Sequence, residues 1–126
     1  MTADIARIVL LNLPWPPTAT SPNASGQGKW RQKAKAARSY KEECGWICRE
    51  RGVRPIGAAA VSVTLTFCPP SRRKFDLDNA LARAKQGLDA VAEAIGVDDS
   101  RWQRLTLDRG EACKDGGIIV LIEEAS

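Results

Sequence analysis

Residues 75–95 read FDLDNALARAKQGLDAVAEAI, and the fold turns on how this stretch is divided. From about Asp78 to Ile95, Leu81, Ala84, Leu88, Val91 and Ile95 recur in steps of three and four. That spacing predicts a helix with one apolar face. Asp76 and Asp78 precede that face, directly after the basic run Arg72-Arg73-Lys74. If the two acids end an extended segment, they point the same way, since side chains two apart share a face. Ionised carboxylates about 4 Å apart repel by roughly 4 kcal/mol at an effective dielectric near 20. Such a pair needs a proton or a cation between its members, and oxygen-only ligands suit Mg²⁺ or Mn²⁺. The bland alternative is a solvated turn in which Asp78 or Asn79 caps the helix.

Around this stretch the chain alternates regular segments. Residues 5–13 (IARIVLLNL) form an almost continuous apolar run that predicts a buried strand. Pro14-Trp15-Pro16-Pro17 stops it, and residues 18–28 read as a long loop. A helix is expected from Lys29 to about Arg51, with Trp30, Ala34, Ala37, Cys44 and Ile47/Cys48 as its buried stripe. Residues 59–67 (AAVSVTLTF) alternate as a half-exposed strand. Gly96 closes the second helix, residues 101–108 read as a strand, and Asp115-Gly116-Gly117 carries hairpin turn chemistry. Residues 118–122 (IIVLI) predict a buried last strand. The order β-α-β-α-β-β implies a two-layer α+β domain, a mixed sheet with two main helices. At 126 residues the chain makes one such domain with a real core.

The 19 Lys and Arg against 15 Asp and Glu give a net charge of only +4, but the charge is segregated. Lys29, Arg31, Lys33, Lys35, Arg38 and Lys41 fall in a stretch without one acid. Arg31, Lys35 and Arg38 form a ridge at helical spacing. A basic segment beside a carboxylate cluster suggests an anionic polymer held by one and acted on by the other. The absence of histidine removes the usual general base and leaves metal-bound water, carboxylates or lysine for any hydrolysis. Cys44, Cys48, Cys68 and Cys113 lack paired metal spacing and read as small fillers in a reducing compartment, so no zinc is expected. No apolar run reaches the length of a membrane span and no signal-peptide pattern opens the chain, which points to a cytoplasmic protein.

On the second helix, Lys85 follows Asp78 by seven residues, only about 20° away around the axis, and Asp89 lies a turn further along nearly the same line. A cation there steadies the carboxylates or meets charge developing on a phosphate. The plainer role is a helix salt bridge to Asp89. Trp46 reads as a packing residue, whereas Trp15, in its proline loop, is a candidate for stacking on an opened base.

These residues carry a resemblance. Leu13-Pro14-Trp15-Pro16-Pro17, Ser21-Pro22-Asn23, the basic helix ending in Ser39-Tyr40-Lys41, Asp76-Leu77-Asp78-Asn79, Lys85 with Asp89-Ala90-Val91, and Gly96-Val97-Asp98-Asp99 together resemble the RusA-like Holliday-junction resolvases. That family comprises crossover-junction endodeoxyribonucleases of bacteria, phages and prophages. The resemblance covers most of the chain. It implies a Mg²⁺-dependent homodimer, with Mn²⁺ as a substitute, that cuts four-way DNA junctions by paired symmetrical nicks in recombination and repair. Asp76 and Asp78 resemble the first two metal-binding acids, Asp99 or its neighbour Asp98 the third, and Lys85 the active-site lysine. The lysine here stands seven residues after the second acid, where the best-known members have four. Phe75 stands where a basic residue often precedes the motif, so cleavage preference does not transfer. Lys29, Arg31, Lys33, Lys35, Arg38, Arg72, Arg73 and Lys74 are the expected DNA surface, with Arg101 and Arg104 as weaker candidates. Competing readings are a metal nuclease acting on forks or flaps, a branched-DNA binder without chemistry, and a zinc-structured interaction module.

Overall fold

A computed structural model describes residues 8–21 and 29–125. Strand β1 (Ile8–Leu13) leads to helix α1 (Lys29–Glu50), then strand β2 (Val61–Cys68), helix α2 (Leu77–Ile95) and strands β3 (Trp102–Arg109) and β4 (Gly117–Glu124). The order and class are those the sequence predicts, an α+β domain with a four-stranded mixed sheet and two helices. Of the first predicted strand, residues 5–7 lie outside the described residues. The expected loop contributes a single 3-10 turn at Thr18–Thr20, and its part from 22 to 28 also lies outside them.

The sheet order is β1-β4-β2-β3. β4 runs antiparallel to both β1 and β2, while β3 pairs parallel with β2. The hairpin expected at Asp115-Gly116-Gly117 is therefore not formed between paired strands. Asp115 and Gly116 do take left-handed conformations, φ 66° and 70°, and reverse the chain. The returning strand crosses to the far side of β2, because the central slot between β1 and β2 buries an apolar strand better than the edge beside β3.

Both helices cover one face of the sheet. Val61, Val63, Leu65 and Phe67 of β2, Ile118, Val120 and Ile122 of β4, and Leu11 and Leu13 of β1 are buried beneath Ala84, Val91 and Ile95 of α2 and Tyr40, Cys44 and Cys48 of α1. Among the described residues the opposite face has no second layer, so β1 and β4 are not the fully buried strands that their apolar runs predict. Leu10 is 62% exposed and its neighbour Leu121 is half-buried. An antiparallel-type sheet covered on one side explains why every second apolar residue meets solvent.

β1 and β2, each antiparallel to β4, point the same way, and so do the helices that follow them. Gly87 of α2 sits between Tyr40 and Cys44, and a β-carbon there falls 2.6 Å from the Tyr40 ring and 2.8 Å from the Cys44 sulfur. Further on, Cys48 shares a groove with Ala90 and Ala94. The two helices thus run parallel, and their N-termini lie at the same end of the molecule. The acid-free start of α1 and the acidic start of α2 therefore share that end.

The buried stripe of α1 begins at Tyr40, not at Trp30. Trp30 is 66% exposed and Trp46 is 62% exposed, against the expectation that both pack inward. Cys44 and Cys48 are core fillers as expected, and burial pushes the Cys44 thiol up to about 12. No helix among the described residues is long and apolar enough to cross a membrane.

Candidate active site

The first turn of α2 carries the acids, but not as an extended pair. Asp76 is the N-cap residue, with extended backbone (φ −94°, ψ 135°), and Asp78 is already helical. Strand alternation therefore does not bring the two side chains to one face. Asp76 is exposed and its side chain makes no capping hydrogen bond. An Oδ1 of Asp78 accepts from the Asn79 backbone N–H at 2.9 Å.

A cleft of about 400 Å³ opens on the flank of α2 facing the edge strand β3. Leu81, Leu88, Trp102 and Leu105 contribute its apolar lining, and Asp78, Lys85, Asp89 and Asp99 its charged groups. Three of the four residues singled out as catalytic, Asp78, Lys85 and Asp99, thus line one cleft; Asp76 does not. Lys85 Nζ stands between two carboxylates, 3.5 Å from Asp89 Oδ1 and 3.4 Å from Asp99 Oδ2. Asp89, with Asp99 behind it, holds the ammonium above the usual lysine range, so Lys85 is a cation through neutral pH. The helix salt bridge to Asp89 expected of Lys85 is formed, and its second partner is Asp99, where the helical phase had set it over Asp78.

Asp98 and Asp99 diverge. Asp98 caps the short 3-10 turn Asp99–Arg101, accepting from the Ser100 hydroxyl at 2.6 Å and its N–H at 3.1 Å. Those bonds hold its carboxyl below the usual range. Asp98 lines an adjoining groove that shares Lys85, Asp89 and Asp99 with the Asp78 cleft, but only Asp99 of the two faces the cleft itself. Between the two candidates for the third acid, the geometry favours Asp99.

The segment leading to the acids is held by residues that sequence reasoning missed. Arg109 donates to the Phe75 carbonyl at 2.8 Å and lies 4.8 Å from the Phe75 ring centre. Arg83 donates to the Pro16 carbonyl at 2.6 Å and the Pro17 carbonyl at 3.3 Å. The Tyr40 hydroxyl donates to the Pro14 carbonyl at 2.7 Å, and the Ser21 hydroxyl to the Asn79 side chain at 3.1 Å. Proline-rich segments have carbonyls without matching N–H groups, so outside donors fill the deficit. A lone arginine among alanines on a helix was the available signal.

Trp15 belongs to this scaffold. Its ring is perpendicular to Phe67 at 6.1 Å and to Phe75 at 5.4 Å, and Arg83 lies 5.8 Å from its centre. A β-carbon added at Gly116 would fall 3.0 Å from that of Trp15, so the turn after β3 packs closely here. The packing makes Trp15 a wedge under the acidic segment, not the open stacking surface expected of it.

The basic candidates are on the surface. Lys29, Arg31, Lys35 and Arg38 are exposed and Lys33 is half-exposed, so the expected ridge of 31, 35 and 38 faces solvent. Arg72, Arg73 and Lys74 are exposed beside the acids. Arg101 is engaged, donating to the Gly96 carbonyl at 3.0 Å. Arg104 pairs in register with Ser62 and shares a groove with Thr64 and Glu124, and is not among the residues lining the cleft.

No family model matches the chain. Over 125 residues it is 34% identical to an uncharacterized protein of Xylella fastidiosa (strain Temecula1), an alignment covering 95% of this chain and 79% of that one. Identity at that level over nearly the whole fold is homology, and the chain belongs to the same family as the Xylella fastidiosa protein.

Proposed function

We propose that the chain is a divalent-cation-dependent endodeoxyribonuclease of the RusA-like type, acting in the cytoplasm as a homodimer on four-way DNA junctions. The observation that carries this reading is the cleft lined by Asp78, Asp89 and Asp99, in which Asp89 and Asp99 flank Lys85. The acid-free start of α1 supports it, since it lies at the same end of the molecule as the first turn of α2. A pure DNA binder gains nothing from carboxylates placed where phosphate must approach.

The donors fit a hard cation of the lightly held kind. Among the described residues no three His, Cys, Asp or Glu side chains stand together as an all-protein cage. Mg²⁺ does not require one, because it keeps several waters and binds through one or two carboxylates together with substrate phosphates. Asp78 and Asp99, both exposed on the cleft, meet that requirement, with Asp76 the further ligand that the resemblance implies. Bound there, Mg²⁺ or Mn²⁺ supplies a more acidic water and shields phosphodiester charge. Lys85, tethered by Asp89 and Asp99, donates to phosphate oxygens as negative charge builds in the transition state. Exposed cations on α1 and at Arg72, Arg73 and Lys74 hold the DNA backbone, which makes binding salt-dependent.

The test is nicking of a labelled synthetic four-way junction against linear duplex, with Mg²⁺ or with EDTA. Paired symmetrical cuts that require Mg²⁺ and occur in the junction alone are expected, as is their loss in Asp78→Asn with junction binding retained. Cuts in forks or flaps at equal rate make the chain a broader branched-DNA nuclease. Tight junction binding without cleavage under any divalent metal makes it a structure-selective binder.

A further inference from the structure

Trp30 is the most exposed large apolar side chain of the described residues. No core contact among the described residues explains its position, since the buried stripe of α1 starts ten residues later at Tyr40. The Arg31 guanidinium lies 5.2 Å from its ring centre, and no acid occurs between Lys29 and Lys41. By helical phase Trp30 is about 20° from Lys41, on the flank from which Lys41 reaches Glu93 of α2 at 2.6 Å. It therefore stands on the side of α1 turned towards α2. Because the helices run parallel, it is also at the end where α2 begins with Asp76 and Asp78.

We infer that Trp30, backed by Arg31, is a stacking platform for an unpaired DNA base at the end of the molecule where α2 begins. The inference rests on the proposed DNA substrate and adds that the protein reads opened bases as well as phosphates. An indole face with a guanidinium beside it, set among cations, is the combination that holds single-stranded nucleic acid without regard to sequence. A second copy of the chain is the poorer occupant. A two-fold interface sets a patch against itself, which here brings Lys29, Arg31, Lys33 and Lys35 against like charges. Trp46 also has a guanidinium near its ring, Arg49 at 5.0 Å, but Glu42, Glu43 and Glu50 surround it on the helix surface and disfavour a phosphate-bearing strand. The base-stacking role once suited to Trp15 thus falls to a tryptophan with an open ring.

The experiment compares the full chain with Trp30→Ala and Trp30→Phe for binding to a four-way junction, an oligo-dT strand and a linear duplex, with molecular mass measured in parallel. The expected result for Trp30→Ala is about a tenfold loss of affinity for junction and single strand, with duplex affinity and mass unchanged. Trp30→Phe should recover most of that loss. Unchanged junction and single-strand binding in Trp30→Ala overturns the inference, as does an equal loss on duplex or a drop in mass. These outcomes leave the nuclease reading standing if the wild-type chain nicks junctions. A wild-type chain that binds none of the three DNAs overturns both.

Discussion

Arg83 Nη2 lies 2.6 Å from the carbonyl oxygen of Pro16, a residue 67 positions away in the chain and itself buried. With the bond to Pro17 at 3.3 Å, this guanidinium ties the segment after β1 to the middle of α2. The tie matters because Asp76 and Asp78 sit at the start of the same helix, and Trp15 of the tied segment supports Phe75 from below.

Arg83→Met should destabilise the fold by about 2–3 kcal/mol, since it removes charge-assisted bonds and leaves a buried carbonyl without a donor. Arg83→Lys should recover part of that, one ammonium replacing a two-point fork. The check is a pair of urea denaturation curves. A midpoint for Arg83→Met equal to that of the wild type would mean the tie contributes nothing.

Gly87→Ala should be destabilising despite the better helix propensity of alanine, which favours it by about 1 kcal/mol. The added carbon meets the Tyr40 ring and the Cys44 sulfur at 2.6 and 2.8 Å. Tyr40 has little room to yield, because it is buried and its hydroxyl is bound to Pro14. Overpacking costs about 1–3 kcal/mol, so the packing cost should outweigh the propensity gain. A thermal melt at or above the wild-type midpoint would show that α1 and α2 separate easily.

What the sequence made legible was local. The stripe from Ala84 to Ile95 is periodic and ends at Gly96, whose left-handed φ of 72° suits a helix stop, so α2 could be read within one residue. Turn chemistry at Asp115-Gly116 announced a reversal, but pairing depends on which slot in the sheet buries more apolar surface, and β4 left β3 for the place between β1 and β2. Trp30 looked like core because a helical period fixes a face without saying how far along the helix that face is covered. In the site, Asp78, Lys85 and Asp99 were legible from spacing and resemblance. Arg83, Arg109 and Tyr40 were not, since each meets a main-chain carbonyl far away in sequence.

Cysteine reactivity should divide by burial. Cys113 is exposed, whereas the Cys44 thiol is buried and pushed up to about 12. Native protein at pH 8 should therefore lose Cys113 to iodoacetamide well before Cys44, because the thiolate is the reacting form. The same shift has a stability consequence. A thiol whose pKa is raised on folding from about 8.5 contributes fully below that pH, and the contribution is lost as pH rises towards 12. Urea midpoints should thus fall above about pH 8.5, and Cys44→Ala should lessen the slope. Mass mapping that finds Cys44 alkylated as fast as Cys113 would contradict the packing of α1.

Lys85 is where the catalytic reading is most exposed to test. Its ammonium is held by Asp89 at 3.5 Å and Asp99 at 3.4 Å, on different segments of the chain, so its position is set from both sides of the cleft. Lys85→Met should lower junction nicking by about 10²–10³, the scale of removing one group that stabilises transition-state charge. Junction affinity should stay within about twofold, because one phosphate contact among many is lost. Asp89→Asn keeps Lys85 paired with Asp99 alone and should cost less, about tenfold, by loosening the ammonium and leaving its charge in place. If Asp89 acts only through Lys85, the double variant should be no slower than Lys85→Met. Single-turnover rates on a labelled junction separate these cases. An additive double variant would give Asp89 a role of its own at the cleft, and a fully active Lys85→Met would remove lysine from the mechanism.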